Sequence, residues 1–194
     1  MSNDKYHHGN LRNALIEEGI KLVNEGGNAN LSLRKVAAQC GVSYAAPYAH
    51  FANKEEMIQA MQEYVVDKFM IRLQSSTPNS NAPYTDENII NLGRNYVGFF
   101  LENPNYFPFL FSQPCMKVQL SLTENATDNF PPYEYFKETL IRYNQENGET
   151  LSNDEQELQI IRLWATVHGI ASIATMKNVS WDKKWEEHLH SLIY

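Results

Sequence analysis

The sequence predicts an all-α protein with about nine helices. Apolar residues recur at helical spacing along most of the 194 residues, and capping residues or Gly and Pro breaks separate these segments. Alternating strand patterns are nearly absent, and no internal repeat or low-complexity tract occurs. With 43% hydrophobic residues, the composition is that of a globular protein.

The first three predicted helices are short and closely spaced. Asn10 can cap the first helix, which the pair Gly26-Gly27 ends, and Ser32 can cap the second. A third helix is predicted from residue 43 or 44 to residue 51. Because the connecting loops hold only a few residues, these helices must pack as a compact local unit.

A long fourth helix is predicted to connect this head to a larger body. Asn53 starts the helix, with Glu56 at the capping-box offset, and a polar loop with two prolines follows at 75–84. The chain therefore divides into a head, a connecting helix and a body, at residues 1–53, 54–74 and 75–194.

Five further helices are predicted in the body. A short aromatic segment with prolines, residues 105–113, lies among them. Ser180 is predicted to cap the last helix, which then runs for about fourteen residues to position 194. The residues expected to begin three of the others are Thr85, Pro131 and Ser152.

Charge is distributed unevenly along the chain. The net charge is −7, yet residues 1–54 hold six Lys or Arg against four Asp or Glu, whereas residues 73–194 hold eight against fifteen. The small positive net charge of the first quarter is compatible with an anionic partner, whereas the negative net charge of the rest disfavours one. This charge balance excludes a nucleic-acid-binding protein that is basic throughout. It permits a small nucleic-acid-binding domain joined to an acidic domain.

Several kinds of site are not expected. Cys40 and Cys115 have neither zinc-site nor disulfide spacing, and residues 6–8 (Tyr-His-His) lack further ligands for a metal. No P-loop, dinucleotide fingerprint or catalytic-triad spacing occurs, so neither an enzyme nor a cofactor is predicted. A polar N-terminus without a signal peptide and the lack of a membrane-spanning apolar stretch predict a cytoplasmic protein without a membrane partner.

The most informative segment is the turn Cys40-Gly41-Val42-Ser43, which separates two short helices within residues 32–51. Gly41 permits a sharp reversal because it adopts a positive φ without strain, and Val42 fills the angle between the helices. This is the spacing of a helix-turn-helix, whose second helix enters the major groove while the first crosses the phosphate backbone.

The same segment resembles the N-terminal domain of the TetR family of transcriptional repressors. The resemblance covers about residues 8–62, and the body is similar in length and helical plan. The element Trp164…His168-Gly169 resembles one C-terminal subgroup of that family. The matching positions in the head are Leu31-Ser32, Val36-Ala37, Cys40-Gly41-Val42-Ser43, Tyr48, His50, Phe51 and Lys54-Glu55-Glu56.

The resemblance implies a double-stranded DNA operator as partner. Residues 44–46 would face base edges, where alanines contact thymine methyl groups, and Lys54 would anchor a phosphate. Arg34 is either a DNA contact or a solvated side chain, and His50 is either a phosphate contact or a packing residue. Pro47 departs from the family pattern and leaves the tilt of the reading helix open. The expected DNA-binding residues are Ser32, Arg34, Tyr44, Ala45, Ala46, Tyr48, His50 and Lys54.

Aromatic residues are concentrated in the body. Rings at helical spacing form a packed core in many proteins, but the prolines at 104, 108 and 114 prevent one smooth helix and favour a concave apolar space. In the TetR family such a space binds a small effector. His168 has two interpretations, a polar group with a core partner or a ligand contact. The expected ligand-binding residues are Tyr96, Phe99, Phe100, Phe107, Phe111, Phe136, Trp164 and His168.

The resemblance also implies a homodimer, formed by the last two helices. The main hypothesis is therefore a repressor whose DNA-binding domain spans 1–53 and whose ligand-binding and dimerisation domain spans 75–194. The dimer would bind a palindromic operator and leave it when a small apolar or amphipathic effector binds. The alternative is a helical protein–protein adaptor that does not bind DNA.

Overall fold

The computed structural model describes residues 11–78, 82–111, 116–123 and 129–194. Across these residues the chain forms eight α-helices, one 3₁₀ helix and no strand, which confirms the predicted all-α class. The α-helices are α1 (Leu11–Asn30), α2 (Leu33–Gln39), α3 (Lys54–Gln74), α4 (Asp86–Glu102), α5 (Tyr106–Phe111), α6 (Pro131–Glu146), α7 (Asn153–Thr175) and α8 (Trp185–Ile193), and the 3₁₀ helix is Ala46–Ala49.

The chain divides into two compact units, Met1–Val65 and Val66–Tyr194, and the division falls inside α3. In the first unit, α1 and α3 approach each other at Gly19. A Cβ placed on Gly19 would lie 2.8 Å from Cε of Met57 and 2.9 Å from Sδ of Met61, so a larger residue would displace both methionines. These two methionines are fully buried, and they form the core of the unit with apolar residues of α1 and α2.

The pair Gly26-Gly27 interrupts α1 but does not end it, so the predicted stop is wrong by one turn. Gly26 has φ −152° and ψ 22°, and Gly27 has φ 68° and ψ −175°, after which the helix continues to Asn30. The Asn30 side chain donates a hydrogen bond to the carbonyl of Leu22 at 2.9 Å. This bond satisfies a carbonyl that the interruption frees, and it stabilises the further turn.

The predicted third helix is present, but it is shorter than expected and of 3₁₀ type, since it spans only Ala46–Ala49. The amide of Tyr48 donates to the carbonyl of Ala45 at 3.1 Å, and the amide of His50 donates to that of Pro47 at 2.9 Å. Pro47 is buried in the first turn, where it has no N–H to donate. A proline also disfavours α-helical geometry in the residue before it, so the turn stays short.

In the second unit, α4 and α7 form the centre and α5, α6 and α8 pack around them. Ser152 and Glu155 form the predicted capping box at the start of α7, where the amide of Glu155 donates to Oγ of Ser152 at 3.3 Å. The amide of Ser152 donates in turn to the Glu155 carboxylate at 2.8 Å. Because hydrogen bonds from Ser152 stabilise the charged carboxylate, they lower the pKa of Glu155.

The last helix differs from its prediction. It begins at Trp185 after Lys184, so Ser180 is not its cap, and it has nine residues rather than about fourteen. Residues 176–184 are all exposed, and the first buried side chain is Leu189. Helices in proteins are stabilised mainly by packing an apolar face. A helix that began at Ser180 would have no buried side chain in its first turn, so the helix begins later in the chain.

Candidate functional site

The helix-turn-helix begins at a well-formed cap. The hydroxyl of Ser32 accepts a hydrogen bond from the amide of Lys35 at 3.2 Å, as the sequence predicts. After α2, Gly41 adopts φ 67°, and the amide of Val42 donates to the carbonyl of Ala37 at 3.0 Å. The reversal therefore depends on a residue without a Cβ at position 41.

The residues that follow this turn are held outward. Tyr44 is 62% exposed and Tyr48 is 54% exposed, while the buried Pro47 anchors the segment between them. Ala45 is exposed and Ala46 is half-buried. Two large aromatic side chains with exposed rings are thus available to a partner of this unit.

Arg34, on α2, is exposed, and its guanidinium forms no ion pair with any residue that the structure describes. Lys35 beside it is exposed as well, but its ammonium donates to Oδ1 of Asn30 at 2.7 Å. Of these two neighbouring cations, Arg34 is therefore the better placed to bind an anion. A guanidinium can bind a guanine edge or a phosphate through two parallel hydrogen bonds.

Lys54 is half-buried, and its ammonium donates to the carbonyl of Asn28 at 2.5 Å. Sequence reasoning placed Lys54 at a phosphate and did not find this contact with the last turn of α1. Asn28 lies in the last turn of α1, where carbonyls have no helical amide one turn further along, and its carbonyl also accepts the amide of Leu31 at 3.2 Å. An ammonium has three donors, so this bond orients Lys54 and leaves donors for an anion.

His50 is half-buried and lies beside the buried Phe51, with 6.2 Å between the ring centroids. The Arg12 guanidinium lies 5.4 Å from the centre of the same Phe51 ring, over its face. Both predicted alternatives for His50 therefore stay open, because its ring packs against the unit and keeps part of its surface exposed.

The eight residues predicted to bind a ligand come together in the second unit, where we call them the aromatic cluster. They come from α4, α5, α6 and α7, and neighbouring rings lie in contact. Ring centroids are 5.0 Å apart for Tyr96 and Trp164, 5.1 Å for Phe100 and Phe107, and 4.5 Å for Phe111 and His168. These rings support one another as edge-to-face and tilted pairs.

Two further residues belong to this packing and are not among the expected ligand-binding residues. Phe69 is fully buried, and its ring centroid lies 5.0 Å from that of Tyr96 and 4.9 Å from that of Phe99. Tyr133 is fully buried and lies 5.0 Å from Trp164. The helical spacing of apolar residues in the predicted fourth helix already indicates that Phe69 faces inward, whereas the position of Tyr133 depends on how α6 packs.

His168 has a core partner. Its Nδ1 lies 3.0 Å from the hydroxyl of Tyr96, and rings of the aromatic cluster surround it. Burial lowers the pKa of His168 and raises the pKa of Tyr96 well above its usual value. The pair is therefore neutral near pH 7, with one hydrogen bond between two groups that would otherwise be costly to bury.

The remaining predictions concern the two cysteines, the N-terminal residues, metal sites and membrane-spanning helices. Cys40 is half-buried, its Sγ lies 3.7 Å from the carbonyl of Ala14, and burial raises its pKa. Asn10, Cys115 and residues 6–8 lie outside the described residues. Within the described ranges, no three side chains form a potential metal site, and no helix is both long and apolar enough to cross a bilayer.

The two units define a class of protein: an all-helical protein with an N-terminal helix-turn-helix and a helical C-terminal body. Residues 15–61 match the bacterial regulatory proteins of the tetR family, and residues 89–193 match the tetracyclin repressor-like C-terminal domain. The chain belongs to the TetR family of transcriptional regulators, as the sequence resemblance predicted, and this family is one of regulators and not of enzymes.

Known proteins agree with this assignment. The nucleoid occlusion factor SlmA of Salmonella dublin is 26% identical over 151 residues, which cover 77% of this chain and 75% of SlmA. The TetR family regulator PfmR of Thermus thermophilus has the same fold, with a TM-score of 0.64 and 18% identity over 92% of this chain and 96% of PfmR.

A third similar protein is the transcriptional regulator FadR of Bacillus subtilis, whose structure was determined in complex with stearoyl-CoA. Its TM-score is 0.67 at 14% identity, over 93% of this chain and 94% of FadR. At this identity the likeness establishes the fold.

Proposed function

We propose that this regulator is a repressor that acts as a homodimer on a palindromic DNA operator and is released by a small apolar or amphipathic effector. The observation that carries the proposal is the outward placement of Tyr44 and Tyr48 after the helix-turn-helix turn. A tyrosine presents an apolar ring with a hydroxyl at its tip, so these two exposed side chains can contact both apolar and polar groups of a partner. The domain roles proposed are DNA binding for 1–53, connection for 54–74, and ligand binding with dimerisation for 75–194.

DNA contacts are assigned by exposure and chemistry. Arg34 would bind a guanine edge or a phosphate, and residues 44–46 would meet base edges. Tyr48, His50 and Lys54 would bind phosphates, with Lys54 oriented by its bond to the last turn of α1. Ser32 uses its oxygen as the cap of α2 and keeps its hydroxyl proton for a phosphate.

A second copy of the chain is the proposed partner of α7 and α8. Apolar side chains on these helices are exposed, with Leu158 65%, Ile173 46% and Leu192 40% accessible. A Cβ on Gly169 would meet no atom within 4 Å, so this glycine is open to a helix from another chain. The two DNA-binding domains of one dimer would bind half-sites about 34–36 Å apart, which is the half-site spacing of a palindromic operator.

The aromatic cluster is the proposed effector site. Its rings come from four helices, so a ligand inserted among them would shift the helices that carry the rings. The stearoyl-CoA bound to FadR supports an apolar or amphipathic effector for this fold. By linkage, an effector that weakens operator binding must itself be bound more weakly in the presence of the operator, by the same factor.

The first test is binding of the purified protein to the DNA upstream of its own gene, measured across a salt series. We expect saturable binding that weakens with salt, because phosphate contacts release counterions. Arg34→Ala should weaken binding by about 1–3 kcal/mol if it contacts a base, and Lys54→Ala should lower the salt dependence by about one counterion.

Lys183→Ala is the matched control, because Lys183 is an exposed cation of the second unit and should leave DNA binding unchanged. A dimer that binds neither this DNA nor a random genomic library would contradict the repressor proposal and support the adaptor alternative. Equal losses for Lys183→Ala and Arg34→Ala would show that only net charge matters and would contradict the assigned contacts.

A further inference from the structure

A cavity of about 490 Å³ lies in the second unit between α4, α6, α7 and α8, and it shares no residue with the aromatic cluster. Its size is within the roughly 300–1,000 Å³ range of small-molecule sites. Aliphatic side chains from all four helices form its walls. They are Ile89, Ile90, Leu140, Leu163 and Ile193.

The wall contributed by the end of α8 is held in place by specific contacts. The hydroxyl of Tyr194 donates to the carbonyl of Ile89 at 2.5 Å. A Cβ on Gly93 would lie 3.2 Å from Cγ2 of Ile193 and 3.2 Å from the Tyr194 hydroxyl, so glycine allows α8 to sit close against α4. These contacts fix the position of the apolar wall, and a fixed wall reduces the entropy lost on binding.

The polar groups of the cavity differ in whether they have partners. The Asp86 carboxylate accepts a hydrogen bond from the Tyr143 hydroxyl at 2.5 Å and lies in the first turn of α4, where the helix dipole stabilises a negative charge. Oε1 of Gln159 accepts from the Asn144 side chain at 2.7 Å. In contrast, the Arg162 guanidinium is exposed and has no ion pair with any described residue.

We propose that this cavity is a binding site for an aliphatic carboxylate, with the carboxylate on Arg162 and the chain along the aliphatic wall. A planar guanidinium binds a carboxylate through two parallel hydrogen bonds. The aliphatic walls from four helices would remove the chain from water. The proposal concerns a site separate from the aromatic cluster, and it does not depend on the repressor activity.

Decanoate is the probe, titrated into the purified protein by calorimetry, with decylammonium as a ligand of equal chain and opposite charge. We expect saturable binding of one decanoate per chain, with a negative heat-capacity change from apolar burial. Decylammonium should bind at least about tenfold more weakly. Arg162→Gln should weaken decanoate binding about tenfold, and it should strengthen decylammonium binding because it removes a like charge from the site.

Arg142→Gln is the control, because Arg142 is a cation of the same unit that is already paired with Glu146 and does not line the cavity. It should leave decanoate affinity unchanged. Ile90→Trp should abolish decanoate binding by filling the cavity. A cooperative denaturant transition like that of the wild type would show that this variant is folded.

Two results would overturn the proposal. One is the absence of saturable decanoate binding to the wild type. The other is equal decanoate affinity in the wild type and in Arg162→Gln or folded Ile90→Trp, which would place the ligand elsewhere. A change of dimer dissociation in Arg162→Gln beside such an unchanged affinity would show that Arg162 pairs with a second copy of the chain.

Discussion

Tyrosine side chains have opposite environments in the two units. Tyr44 and Tyr48 in the first unit are more than half exposed, whereas Tyr96 in the second is fully buried and its hydroxyl bonds to His168. The difference comes from the backbone that carries each ring: a short turn anchored by Pro47 holds the first two outward, and a long helix places Tyr96 in a core. Aromatic residues alone therefore do not identify a recognition surface.

This comparison separates binding from stability. Substitutions at exposed positions of the first unit should change DNA affinity more than folding, because few native contacts are lost. Substitutions in the aromatic cluster should change folding more than DNA affinity, because each ring contacts several others.

The largest effect is expected for Phe100→Ala. Phe100 is fully buried, with ring centroids of Phe69, Phe99 and Phe107 within 5.1 Å. Removing this ring should lower the free energy of unfolding by about 3–5 kcal/mol, measured by denaturant titration. Ile71→Ala, at a residue that is 70% exposed, should change it by about 0.5 kcal/mol or less. Equal effects of the two substitutions would break the comparison, because the cluster would then not behave as a core.

An intermediate effect is expected for Gly41→Ala, with Gly148→Ala as its match in the second unit. Both glycines have a positive φ, 67° and 72°, and a Cβ on either would meet no atom within 4 Å. Each substitution should therefore cost about 1–2 kcal/mol of unfolding free energy from backbone strain alone. Only Gly41→Ala should also weaken operator binding, since it strains the turn that positions Tyr44. An equal loss of DNA affinity in Gly148→Ala would contradict the division of roles.

The smallest effect is expected in the pH dependence of the free energy of unfolding, which tests whether His168 is neutral in the aromatic cluster. Burial lowers the pKa of His168 below its ordinary value of 6.5, so below pH 6.5 the unfolded chain binds a proton that the folded chain does not. The free energy of unfolding should therefore fall as the pH decreases through this range. His168→Gln should show a shallower fall in the same denaturant titrations. Parallel curves for the two proteins would mean that His168 has the same pKa in the folded and the unfolded chain, which would contradict the effect of burial.

Much of the local structure could be predicted from the sequence. The caps at Ser32 and Ser152 and the turn at Gly41 follow from residue type at a given spacing, because their hydrogen bonds join neighbours in the chain. The exposed positions of the helix-turn-helix followed from the resemblance to a family with a short, distinctive motif. These features depend on few long-range contacts.

Other features could not be predicted in this way. The final helix begins at Trp185 and not after Ser180, because a cap is effective only where the helix beyond it can pack. The bond from Lys54 to Asn28 joins residues 26 positions apart, so it depends on the packing that brings the start of α3 to the last turn of α1. The cavity beside Arg162 needs four helices at once, and no spacing within one helix indicates it.

By itself, the sequence determined the all-helical class, the helix-turn-helix and the uneven charge of head and body, because each arises from neighbouring residues or from composition. Only the tertiary structure decided which aromatic rings are core and which face solvent, that His168 has Tyr96 as its partner, and where a cavity remains. The physical reason is that burial depends on how separate helices pack, and packing is set by side-chain volumes across the whole unit rather than by any one segment.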